Sequence, residues 1–337
     1  MLSSIRRPRV LLAAITALAT LASPSLAQDA PASEAPAALH EVVQVVDGDT
    51  LHIMRGGKVE KLRLLSVDTE EKFMPGMRSS ASKPQTVYGE ETMLWTQDFF
   101  DQFRDESGVV RVGLRFPDDR EEYDVYGRLL CHVLLEDGTD FNLLLVELGK
   151  SPYFNKYGNS RICHEDFVAA QERARRNLIG VWAPRTNEPA TEDAPAARRP
   201  YERLIPWWQA RAEAIDDFRE RSSREPRRVL TAEDGAALQG ALDSQAEVEV
   251  FLTPDRFFEE KDGSLTVLAR SSDRERALRV SIPAEARAAF EEVDLDGLRD
   301  EYRQNYAYVR GVITRGPRGF RITTPDPGAW RRAGREP

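Results

Sequence analysis

The chain holds only two cysteines, Cys131 and Cys163, in 337 residues. Neither lies near the apolar N-terminal segment, which argues against a lipid-anchored cysteine there. Beyond that segment no apolar run approaches the ~20 residues a spanning helix needs. Basic charge is also short, with 47 Lys and Arg against 56 Asp and Glu. An acidic surface excludes tight, non-specific grip on nucleic acid, which draws its affinity from phosphate neutralisation. It leaves room for an enzyme that visits phosphates through a few local arginines. Hydrophobic content of 41% rules out wholesale disorder.

What is present begins with a leader. Arg6, Arg7 and Arg9 form a basic start, Val10 to Leu21 is apolar, and Ser25-Leu26-Ala27 is a small-x-small cleavage site. That pattern predicts a signal peptide over 1–27, cut after Ala27, and an exported protein, periplasmic or secreted. Removing those three arginines takes the net charge from −9 to −12. Residues 28–40, QDAPASEAPAALH, read as a flexible leader. In an oxidising compartment an even cysteine count favours one disulfide, Cys131–Cys163, with two buried free thiols as the alternative.

The pattern from 41 to 184 predicts one mainly β domain of α+β class. Strands are expected over 41–46, 50–54 and 61–67, with Asp47-Gly48 and Gly56-Gly57 as turns. A loop rich in Pro, Gly and Ser follows over 72–87, then a helix over 88–103. Strands over 109–116 and 129–135 and helices over 142–148 and 163–176 complete it. Short strands in this order suit a small, partly open β-barrel with helices packed on it. Residues 185–229 read as a linker carrying an amphipathic helix, its stripe marked by Leu204, Trp208, Ala212, Ile215 and Phe218. Residues 230–330 predict a second β-rich unit, possibly barrel-like, with strands over 247–252, 265–269, 278–282, 307–312 and 320–323. Helices are expected over 284–290 and 295–302, and 331–337 form a tail. No catalytic signature falls in that second unit.

Polar residues cluster three times in the first domain: Asp47-Gly48-Asp49-Thr50, Arg63 to Glu71 (RLLSVDTEE), and Asp124 to Arg128 (DVYGR). On a regular strand Arg63 and Asp68 point to opposite faces, and a twist or bulge at the strand end is needed to unite them. Alone, Asp47 is a turn residue and Asp124 a loop-fixing one. His132 and His164 read as packing residues.

Taken in order, VVDGDT, RLLSVDTEE and DVYGR, with GVW closing the last helix, resemble the staphylococcal nuclease family over residues 42–182. The resemblance implies a five-stranded OB-fold barrel with three helices. It also implies a Ca²⁺-dependent phosphodiesterase acting on DNA, and on RNA in some members, leaving 3′-phosphorylated products. Matching positions make Asp49, Asp68 and the Thr69 carbonyl the metal ligands. Glu71 would act on the attacking water, and Arg63 and Arg128 would grip the phosphate. Tyr126 and Tyr157 would lie near the substrate. An open groove favours single strands. Two departures stand out: Glu70 replaces the family's proline, and residues 41–184 carry 18 basic against 25 acidic side chains. Those departures motivate the alternative, a non-catalytic module that binds nucleic acid or another partner. No protein partner is identifiable from the sequence.

Overall fold

The computed structural model describes residues 35–334 apart from 75, 77–79, 81, 189–198, 272, 274–275, 294 and 296–304. The expected signal peptide, most of the leader and linker tail, and the helix expected over 295–302 beyond Leu295 lie outside the described residues.

Strands β1 (His40–Asp47), β2 (Thr50–Arg55) and β3 (Lys58–Leu64) form an antiparallel meander. Arg55 and Lys58 pair directly across Gly56 and Gly57, whose φ angles of +56° and +77° only glycine adopts without strain. That turn starts β3 at Lys58, three residues before the expected Lys61. The strand also ends earlier than expected, because Ser66 takes φ +64° and leaves the sheet. Helix α1 (Val87–Asp101) starts at Thr86, whose hydroxyl accepts the Gly89 N–H.

Then follow β4 (Arg111–Arg115), β5 (Glu122–Tyr123) and β6 (Leu129–Leu134), and helices α2 (Phe141–Glu147) and α3 (His164–Arg176). The order β3-β2-β1-β4-β6 closes on itself because β3 also pairs with β6, in parallel. The result is a closed five-stranded barrel with helices packed against it. Alternate residues such as Leu51, Ile53, Leu62, Leu64, Leu129 and Val133 fill its core.

Helix α4 (Tyr201–Arg224) is the expected amphipathic helix, longer than its stripe. Its first half joins Tyr88 and Val181 through Tyr201, Leu204, Ile205 and Trp208. Its second half joins Phe251, Tyr308 and Ala333 through Ala214 and Ile215. A fully buried large apolar side chain is worth about 1.5–3 kcal/mol, so Leu204 and Trp208 alone secure the first contact. The helix belongs to two cores at once.

The C-terminal unit comprises β7 (Val229–Thr231), α5 (Gly235–Ser244), β8 (Glu247–Leu252), β9 (Pro254–Glu259), β10 (Leu265–Ala269), β11 (Leu278–Ile282), β12 (Ala307–Val312), β13 (Thr314–Arg315), β14 (Phe320–Thr323) and β15 (Trp330–Arg332). They form a five-stranded sheet, β13-β14-β11-β10-β9, and a four-stranded one, β15-β12-β8-β7, round one core. Residues 284–293 are a 3-10 helix where an α-helix was expected. Among the described residues no helix is long and apolar enough to cross a membrane.

Candidate active site

The β1–β2 turn consists of Gly48 and Asp49; Asp47 is the last residue of β1, paired with Thr50. The expected Asp47-Gly48 turn is thus shifted by one residue. Asp47 steadies it by accepting the Gly48 N–H at 2.8 Å. A Cβ on Gly48 would lie 2.8 Å from the methyls of Thr69 and Thr92, so close approach is what requires glycine here. The turn thereby packs on Thr69 and delivers a buried Asp49 beside it. Asp49 Oδ2 accepts the Thr69 N–H at 3.1 Å and pairs with Arg63, while Oδ1 accepts the Thr50 hydroxyl at 3.0 Å.

The left-handed Ser66 supplies the bend that brings Asp68 round to Arg63. Arg63 Nη2 lies 2.7 Å from Asp68 Oδ1. Asp68 is fully buried, and its N–H donates to Ser151 Oγ at 2.8 Å. Two cations that sequence reasoning missed also reach it. Lys83 Nζ sits 2.7 Å from Oδ1 and 3.4 Å from Glu71 Oε1. Arg199, just before α4, pairs with Oδ2, and donates to the Asp68 and Ser82 carbonyls at 3.0 Å each. Burial pushes the Asp68 pKa up; Arg199, Lys83 and Arg63 outweigh it and hold the carboxyl well below its usual range. No local pattern could have marked Arg199, which lies 131 residues away in a stretch composed like a linker.

Glu70 and Glu71 diverge. Glu70 is buried and accepts from the Thr86 hydroxyl (2.6 Å), Asn187 (2.7 Å) and the Tyr201 hydroxyl (2.9 Å). Its carboxylate ties the start of α1 to α4. Glu71 stays partly open to solvent, its carbonyl accepting the Thr86 N–H at 2.9 Å. The first turn of α1 can press on this backbone only because residue 89 is glycine: a Cβ there would lie 2.3 Å from the Glu71 carbonyl oxygen. Carboxylates crowd the turn. Asp47 is pushed up to about 7, first by burial and then by Asp49, with Glu71 adding and the Gly48 N–H opposing.

Arg128 stands one residue before the neighbouring strand β6, in which Leu130 faces Arg63 across the parallel β3–β6 pair. Asp124 shapes the intervening turn, accepting the N–H groups of Tyr126 and Arg128 at 2.9 Å each and the Arg128 Nε–H at 2.8 Å. Tyr126 lies under the Arg128 guanidinium, 5.5 Å from it, and is 79% exposed. Tyr157, 63% exposed, projects from the loop before α3. Next to it Lys156 lies over the Trp207 ring at 4.4 Å.

The expected Cys131–Cys163 disulfide is not formed; both are free thiols. Cys163 lies against His132 and Asp140, with the three ligand atoms within 4.8 Å of one another. His132 leaves β6 on the face opposite Cys131, so the two sulfurs are directed apart. Burial pushes both thiols up, Cys163 to about 12. His132 is held by Asp140 at 2.6 Å and His164 by the Tyr153 hydroxyl at 2.9 Å, which accounts for both as structural groups.

Two carboxylates and a carbonyl are the hard oxygen donors that a divalent cation such as Ca²⁺ takes. Asp49 Oδ1 meets only a hydroxyl, and the Thr69 carbonyl has no hydrogen-bond partner among the described residues. Both can turn to an ion, and the donor set fits by its chemistry. Asp68 is the exception in charge balance, since an ion there has to displace Lys83 and Arg199.

A closed five-stranded OB-type barrel with helices packed against it is a fold that known proteins share. Residues 61–184 match the family model of staphylococcal nuclease homologues. A thermonuclease of Staphylococcus intermedius is 32% identical over 143 residues, 42% of this chain and 74% of that protein. The endonuclease YhcR of Bacillus subtilis is 30% identical over 153 residues, 45% of this chain and 12% of its own length. The uncharacterised protein MJ1439 of Methanocaldococcus jannaschii is 26% identical over 148 residues, 42% of this chain and 70% of that protein. Through its barrel domain this chain belongs to the staphylococcal nuclease family.

Proposed function

We propose that the protein is an exported nuclease that hydrolyses phosphodiester bonds of DNA, and of RNA as a second substrate. The observation that carries this reading is the meeting of Asp49, Asp68, Thr69 and Arg63 beside a solvent-open Glu71. Asp49, Asp68 and the Thr69 carbonyl would hold Ca²⁺, which when bound polarises a phosphoryl oxygen. Arg63 and Arg128 would grip the phosphate with two guanidinium forks as charge builds on its oxygens. Glu71 would take a proton from attacking water. In the family, attack releases the 5′-oxygen and leaves a 3′-phosphate. The exposed Tyr126 and Tyr157 offer π-faces to unpaired bases, which favours single strands.

The test is hydrolysis of heat-denatured DNA by the mature protein with calcium, with chelator, and with Asp49→Ala plus Asp68→Ala. Both the chelator and the double variant are expected to lower the rate by at least about a thousandfold. Activity that survives both removes the metal reading. The three cations on Asp68 favour a second reading, a module that binds single strands without cutting them. Tight oligonucleotide binding with no cleavage at millimolar calcium would select it.

A further inference from the structure

The five-stranded C-terminal sheet presents its outer face as an open cleft of about 1310 Å³. Side chains alternate along its strands. Val267, Val280 and Ile322 enter the core, while their neighbours face the cleft. One rung crosses four strands: Arg256 opposite Leu268, Leu268 opposite Arg279, Arg279 opposite Arg321. Three of its four positions are arginine, and Arg318 enters from the next turn. Like charges placed directly opposite one another destabilise a sheet. Arg256 lies 3.8 Å from Asp255, and Glu260 and Asp262 also line the cleft, but no carboxylate lies within ion-pair distance of Arg279, Arg318 or Arg321 among the described residues. The Nε of Arg321 is buried without a hydrogen-bond partner. Arg279 is pushed below its usual range, by burial first and then by Arg318 and Arg321. A solvated polar sheet face is the ordinary alternative. In a chain of net charge −9, however, three arginines gathered without an ion-pair partner, Arg279, Arg318 and Arg321, invite another source of negative charge.

We infer that this face binds single-stranded nucleic acid, its phosphates on the arginine rung and a base against Phe258. The rung spans three inter-strand steps, roughly 14 Å, room for several phosphates of one strand. Phe258 is 41% exposed in the same cleft and offers a π-face on which an unpaired base can stack. The choice of nucleic acid over another polyanion rests on the nuclease reading, and the test keeps the two apart.

The full mature chain is titrated into a fluorescein-labelled oligothymidylate in chelator, and anisotropy is followed as salt is raised. The substitutions Arg256→Gln, Arg279→Gln and Arg321→Gln are made together, and Thr323→Glu serves as a single-site alternative on the same face should the triple variant lose its fold by circular dichroism. Loss of about three phosphate contacts is expected to weaken binding at least about tenfold and to lower the salt slope by about 2. Hydrolysis of a small p-nitrophenyl phosphodiester should not change. Binding that is equal in wild type and folded variants overturns the inference. Heparin binding that the variants lose, with no oligonucleotide binding in wild type, overturns it in favour of a polysaccharide. Failure to cleave the small diester in wild type would sink the nuclease reading and leave the binding result standing.

Discussion

Around Asp68, three cations converge on one buried carboxylate, and Asp49 is drawn into the same network through Arg63. On the outer sheet of the C-terminal unit, Arg279 and Arg321 stand side by side with no carboxylate within ion-pair distance among the described residues. The two units are joined through one helix and solve opposite problems. The first has its charges paired within itself, and anything entering must compete with what is already there. The second leaves charge unmatched and gains from any anion that arrives. Buried pairs cost desolvation and return it through geometry, whereas open arginines at a sheet surface are ready-made for phosphate.

The largest effect is expected where the packed network also holds the fold. Glu70→Ala strands the Thr86 hydroxyl, the Asn187 amide and the Tyr201 hydroxyl, all turned inward. Urea unfolding should show a loss of about 3–5 kcal/mol. A loss below about 1 kcal/mol would mean that Glu70 does not fasten α4 to the barrel.

Arg199→Ala sharpens the contrast at smaller cost, since Asp68 keeps Arg63 and Lys83. Calcium affinity by titration calorimetry should rise about tenfold, or about 1.4 kcal/mol. Unchanged affinity would show that Arg199 does not compete for the carboxylate.

A further effect concerns Lys156, half-buried over the Trp207 ring. Burial, then Arg211, lowers its pKa from 10.5 to about 8, Asp68 opposing and Lys83 and Arg270 adding. Between those values the unfolded chain binds the extra proton, so stability should rise as pH increases from about 8 to about 10.5. Thermal melts of Lys156→Met across that window should lack this rise. An identical slope in wild type and variant would break the link.

Much of the fold was legible from residue pattern. The strands over 247–252, 265–269, 278–282, 307–312 and 320–323 lie where alternation places them. Strand β9 was not read, because it opens on Pro254 and exposes most of its residues, so no buried alternation shows. Helix α5 was hidden by Gly235 and Gly240, although Asp234 caps it by accepting two backbone N–H groups. At the site, the motifs located Asp49, Arg63, Asp68 and Glu71, and a strand-end distortion was foreseen without its agent, Ser66. Arg199 and Lys83 were out of reach, because a loop residue becomes part of a site only through the path of the folded chain. The cysteines mislead for a related reason: compartment and parity say nothing about which face of β6 a sulfur leaves.

Helix α4 gives this arrangement a dimension. A flexible tether between two binding surfaces averages over many separations, and its partner sees only an effective concentration. A 24-residue helix about 36 Å long, whose two halves are built into two different cores, is a strut set at one length. A strand held on the sheet while it is cut at the barrel would therefore be measured as well as held, with the cut falling a fixed count of nucleotides from the gripped segment.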